Sequence, residues 1–208
     1  MRKRKFFFIT FEGIECSGKS YQSRKLYKNI KNKKKPVLLT REPGGSKSSE
    51  EIRSIILSGP KNKFLKTTDT LLYLAARNEH YNKVIKPMIT KKNIICDRFT
   101  DSTLAYQVHG KGVDRKLVDI LHKNILGKFK PDLTIILIVS IKKAFSRMKK
   151  RKNKNRYDKF SKEFYQKVQN SFIKLAKKNS KRYFVLDNTN DSKKVEKIIF
   201  NKFLKLCS

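Results

Sequence analysis

At 208 residues, with 38% hydrophobic and 11% aromatic side chains, the chain can bury a substantial core as one domain, which excludes a disordered class. The formal charge of +35 raises the suspicion of nucleic acid, but 40 of the 52 basic residues are Lys, mixed with many Asn and Ile and spread over the whole length, as A/T-rich coding produces. No specific nucleic-acid site is expected; the field should draw anionic substrates inward, less so as salt rises.

Three cysteines, Cys16, Cys96 and Cys207, stand too far apart for a CxxC zinc site and are too few for a disulfide scaffold, which fits a reducing cytoplasm. The start, MRKRKFFFITFEG, opens like a signal peptide, yet its apolar stretch spans only residues 6–11 and no small-residue cleavage site follows. It reads as a first strand with a basic lead-in. No apolar run reaches transmembrane length, so no membrane is expected.

In chain order, strand-like runs fall at residues 6–12, 36–40, 93–97, 132–139 and 182–186. Helical stretches fall at 19–31, 48–57, 68–90, 115–126, 141–150, 161–178 and 192–206, with Pro87 expected to kink or end the third. Strands alternating with helices predict an α/β fold in a single domain over 1–208, with a five-stranded parallel sheet flanked by helices on both faces. Basic residues crowd and apolar periodicity fades at about 142–160, which reads as a basic, mobile lid.

The first strand runs directly into Gly13-Ile14-Glu15-Cys16-Ser17-Gly18-Lys19-Ser20, a complete G-x-x-x-x-G-K-[ST] motif between strand and helix. This predicts the P-loop NTPase fold and an ATP site. The glycines let backbone N–H groups face the phosphates at a positive helix N-terminus, Lys19 bridges β- and γ-phosphates, and the Ser20 hydroxyl ligates Mg²⁺. Asp97-Arg98 ends the third strand at the carboxyl edge, where an acid can hold Mg²⁺ through water and an arginine can neutralise phosphate. A GTPase is disfavoured, because Asn188-Thr189-Asn190-Asp191 has Thr where an NKxD element needs Lys.

Thr40-Arg41-Glu42-Pro43-Gly44-Gly45, Leu71-Leu72-Tyr73-Leu74-Ala75-Ala76-Arg77 and the run Asp97-Arg98-Phe99-Thr100-Asp101-Ser102-Thr103-Leu104-Ala105-Tyr106-Gln107 complete a set. Together they closely resemble thymidylate kinase of the bacterial type, in order and spacing, over residues 8–203. The resemblance implies transfer of the ATP γ-phosphate to dTMP, with Mg²⁺, in a homodimer; the alternative is another nucleoside monophosphate kinase, or a deoxynucleoside kinase, which would want a carboxylate base just after the first-strand loop and has no use for the glycine turn at 40–45. It makes Arg41 the holder of the monophosphate, and puts Tyr73 and Arg77, one helical turn apart, at the thymine. Gln107 adds an amide contact near the base. Glu15 accepts the sugar 3′-hydroxyl, Tyr106 closes the space under the 2′ position, and Arg98 and Ser102 join the acceptor site. Where some relatives carry a catalytic Arg in the P-loop this chain has Cys16, so the charge is expected from lid residues Arg147, Arg151 and Arg156, with Arg151 or Arg156 the preferred donor. The stretch Asn155-Arg156-Tyr157-Asp158 is a weakened form of the family's D-R-x-E signature. Ile138 replaces an acid expected to point toward the base of the site.

Overall fold

Every residue of strand β1 (Phe8–Glu12) is buried, as the centre of a parallel sheet covered on both faces requires. In the computed structural model, which describes residues 5–152, 154–190 and 192–207, β1 pairs with β3 (Asn93–Asp97) on one side and β4 (Leu133–Ile138) on the other. Strands β2 (Val37–Arg41) and β5 (Tyr183–Asp187) form the edges, giving the all-parallel order β2-β3-β1-β4-β5. The five expected strands thus form within two residues of their predicted starts, and the carboxyl ends of β1, β3 and β4 meet at one rim.

The two-residue alternation of β1 divides the core. Ile9 and Phe11 pack with Leu26 and Ile30 of α1 (Lys19–Asn32) and with Val195, Ile199 and Phe203 of α8 (Ser192–Cys207). Phe8 faces the opposite layer, its ring 4.9 Å from Phe99 and 5.1 Å from Phe129. Each such fully buried ring contributes about 1.5–3 kcal/mol. The rest of the helical layers is α2 (Lys47–Leu57), α3 (Lys66–His80), α4 (Thr100–Thr103), α5 (Arg115–Leu126), α6 (Ile141–Lys149) and α7 (Lys162–Lys178).

Two regions depart from the sequence reading. The single helix expected over 68–90 is α-helical only to His80; a π-helical turn, Tyr81–Ile85, and a short helix, Lys86–Met88, follow. Pro87 has no N–H to give the carbonyl four residues back, and the turn before it widens so that the Lys86 N–H bonds Tyr81 O. Residues 100–110, to which the periodicity assigns nothing, are helical: α4 continues into a π-helical stretch, Leu104–Gly110. Its amino end is capped from a distance, the buried Glu12 carboxyl accepting from Phe99 N at 2.8 Å and Ser102 N at 3.3 Å. The lid segment 142–160 contains α6 and a 3₁₀ turn, Arg156–Lys159, and residue 153 of it lies outside the described residues, as do residues 1–4 of the basic lead-in and Asp191.

Candidate active site

The rim at the ends of β1 and β3 opens into a cavity of about 1020 Å³, at the top of the range of a single small-molecule site and suited to two ligands side by side. Its floor is the loop after β1. Gly13 has φ +140° and a Cβ there would run into Leu137 O; Gly18, at φ +96°, is pressed against Asn188. Asn188 donates to Ser17 O at 2.7 Å, so the loop is braced from behind by the end of β5. Glu15, Cys16, Gly18, Lys19 and Ser20 line the cavity, whereas the Ile14 and Ser17 side chains are buried and only their backbone can serve a ligand.

Lys19 is 5% exposed, and its Nζ donates to Ile14 O at 2.6 Å. Burial, with Arg98 nearby, lowers its pKa to about 8, so its charge is costly until an anion arrives. The Ser20 hydroxyl donates to Asp97 Oδ2, and Asp97 Oδ1 is buried with no hydrogen-bond partner among the described residues. Those hard oxygens fit a divalent cation whose remaining ligands are phosphate and water; among the described residues no cluster of three or more His, Cys, Asp or Glu could hold a metal alone.

Arg98 sits at φ 72°, a left-handed conformation that turns its side chain back across the loop. It donates to Gly13 O and Ser102 Oγ, both at 3.1 Å, and to Glu15 Oε1 at 2.8 Å. Tyr106 OH donates to Glu15 Oε2, and Ser102 OH to Glu12 Oε2 at 2.5 Å. Burial alone would raise the Glu15 pKa, but Arg98, Lys19 and the Tyr106 hydroxyl outweigh it and hold the carboxylate below its usual range. Glu12, by contrast, is raised to about 8 by burial and by Asp101.

Arg77 lines the deep end. It is 3% exposed, with Nε on Glu42 at 2.7 Å, Nη1 on Thr103 and His122, and Nη2 on Phe99 O. Burial and Arg77 push the His122 pKa down to about 3, so its neutral ring accepts from Arg77. Tyr73 lies on the same face of α3. Its ring is 6.2 Å from that of Tyr157, which is 6.0 Å from Tyr106. Gln107, 2% exposed, reaches Tyr157 OH at 3.5 Å. Arg41 stands at the mouth, its Nη2 shared between the two Glu50 oxygens at 3.0 Å each, behind the Pro43-Gly44-Gly45 turn whose Gly45 N–H also bonds Glu50.

The lid arginines part company. Arg147 donates to Cys16 O, Asn188 O and Thr189 O, clamping the loop to the end of β5. Arg151 lines the cavity and is 37% exposed, tethered to Asp158 at 3.3 Å. Arg156, expected beside it as a catalytic donor, is not brought to the cavity: its side chain is 1% exposed, ion-paired to Asp69 and bonded to Ile56 O. A buried carboxylate without a partner is costly, and Asp69 captures the guanidinium. Ile138 packs into the apolar cluster with Phe145 and does not line the cavity. Among the wall residues that escaped the sequence reading are Arg53 and Tyr157. Arg53 reaches Pro43 O at 2.6 Å from α2, and its only signal is an arginine closely following the glycine turn; Tyr157 is one of three aromatics, with Phe145 and Phe160, in the basic run, and nothing local marks it as the one that reaches the cavity.

The thymidylate kinase family model matches residues 11–199. A thymidylate kinase of Ehrlichia ruminantium is 39% identical over 204 residues, covering 96% of this chain and 98% of that one. One from Mycoplasma capricolum is 40% identical over 202 residues, 96% and 93% of the two chains. The crystal structure of thymidylate kinase from Ehrlichia chaffeensis superposes with a TM-score of 0.76 at 34% identity, over 96% of this chain and 98% of that one.

Proposed function

The chain belongs to the thymidylate kinase family, and from that premise we propose that ATP lies on the loop 13–20 and dTMP between α3 and residues 98–107. The enzyme transfers the γ-phosphate of ATP to dTMP, giving dTDP on the way to dTTP for DNA synthesis. The observation that carries the placement is the shared cavity: Lys19, Arg98, Glu15, Tyr73 and Arg77 all border it.

Backbone N–H groups of 13–18 and Lys19 hold the donor phosphates. Arg98, with Arg41 released from Glu50, holds the acceptor phosphate. A dTMP phosphate oxygen, ionised at neutral pH, attacks the γ-phosphorus in line; the new O–P bond forms as the β–γ bridge breaks, and ADP leaves. Arg151 covers the charge that develops, and alignment with electrostatics supplies most of the acceleration. Ser20 and Asp97 would hold Mg²⁺, which neutralises phosphate charge when bound. Glu15 receives the sugar 3′-hydroxyl, Tyr106 closes the space beneath the 2′ position, Tyr73 stacks on the thymine, and Arg77 and Gln107 meet its polar edge, with Ser102 supporting Arg98.

The setting we infer is the cytoplasm, in keeping with three free cysteines; among the described residues no helix is long and apolar enough to cross a membrane. The working unit we infer is a homodimer, because α2 and α3 expose Ile55 and Leu71, each at 46%, outside the core.

A steady-state panel of nucleosides and nucleoside monophosphates with ATP tests this reading. dTMP should be the best acceptor. dUMP lacks one methyl group, worth about 1–3 kcal/mol in a pocket, and should be used about 10–200-fold less well. Equal use of dGMP or CMP overturns the thymine assignment. Size-exclusion chromatography of the same preparation should give a dimer, and a monomer at assay concentration rejects that part.

A further inference from the structure

Arg156 is a lid arginine that neither enters the transfer nor, like Arg147, clamps the phosphate loop. Its Nη2 is on Asp69 and its Nε on Ile56 O, with 1% of the side chain exposed. Asp69 is 0% exposed and also accepts from Tyr157 OH at 3.1 Å and Lys111 Nζ at 2.5 Å. This carboxylate lies in the first turn of α3; Tyr73 follows one turn later and Arg77 two turns later. On the other side, Arg156 opens the 3₁₀ turn whose Asp158 bonds Asn155 N at 2.8 Å and Arg151 at 3.3 Å. A continuous line of contacts therefore runs from the helix bearing Tyr73 and Arg77, through Asp69 and Arg156, to Arg151, which lines the same cavity as the loop 13–20. Beside it, the Tyr157 ring bridges Tyr73 and Tyr106.

We propose that Arg156 is a positioning residue: it latches the lid to α3, so that a deoxynucleoside monophosphate seated against α3 holds Arg151 over the phosphate loop. This rests on the acceptor placement above. The latch makes acceptor occupancy a condition for a complete donor site, which limits loss of the γ-phosphate to water. A buried ion pair suits such a device, since breaking it leaves a charge without its partner and favours one geometry over neighbouring ones. Lys111 remains beside Asp69 when Arg156 is replaced, so the variant retains a neutralising partner and should fold.

Limited trypsin cleavage tests the latch without relying on turnover, because Lys149, Lys150, Lys152 and Lys154 are exposed. In the unmodified protein dTMP alone, without ATP, should slow cleavage within 149–154 by at least about fivefold, the lower end of usual coupling. In Arg156→Met this protection should vanish although calorimetry still registers dTMP binding, and Arg156→Lys should restore part of it. Asp69→Asn should behave like Arg156→Met, and it carries the test if Arg156→Met melts below the assay temperature. Equal protection in Arg156→Met, or none in an unmodified protein that binds dTMP, overturns the latch while leaving the acceptor assignment intact. An unmodified protein that shows no dTMP binding overturns the assignment and the latch with it.

Discussion

Lys19→Ala is expected to lower kcat/KM for ATP by at least about 100-fold, or about 2.7 kcal/mol of transition-state stabilisation. The fold should survive. Lys19 is buried with its ammonium on a single good acceptor, Ile14 O, and its pKa is lowered to about 8, so the empty protein bears a desolvated charge that the triphosphate relieves. Removing it takes away the transition-state contact and a burden on the unliganded state together; thermal melting should show equal or higher stability. The sign for pH follows. Below about 8 the ammonium is charged and ready for ATP, and as pH rises through that value in the free enzyme kcat/KM for ATP should fall. Near-unchanged turnover in Lys19→Ala removes the loop from the reaction.

Arg77→Ala should be costly in two separable ways. It takes from Glu42, 4% exposed, the guanidinium on Oε2 and leaves only His80 on Oε1, although burial would raise the carboxyl pKa and Arg77 with His80 holds it low. Losing one partner of such a pair costs about 3–5 kcal/mol. It also removes the donor from the deep end of the cavity, so the dTMP KM should rise by about tenfold or more while the ATP KM changes little. Pairing it with Glu42→Gln distinguishes the two effects: the double variant should recover much of the stability, measured by urea unfolding, and none of the dTMP affinity. Recovery of affinity along with stability would make Arg77 purely structural.

The strands and the phosphate loop were legible because each rests on local chemistry: unbroken apolar runs between helical stretches, and a glycine spacing that one backbone path satisfies. The arginines were harder. Arg151 and Arg156 stand five residues apart in one basic run, and nothing in their spacing tells which turns inward; the decision is made by Asp69, 87 residues from Arg156 along the chain. The helix over 100–110 escaped for a similar reason, since the residue at its N-cap, Phe99, has no side-chain oxygen and the cap comes instead from Glu12, on the central strand. The π-helical turn before Pro87 is the intermediate case: a disturbance at the proline was predictable, but whether the helix kinks, stops or widens depends on packing against the core around Ile85.

The central claim is that one cavity passes phosphate from ATP to dTMP, and the most direct measurement is a transfer assay with γ-labelled ATP and unlabelled dTMP. The account predicts labelled dTDP formed one for one with ADP, and almost no ADP when dTMP is left out. ADP released at the same rate without dTMP, or no label in dTDP, would contradict it.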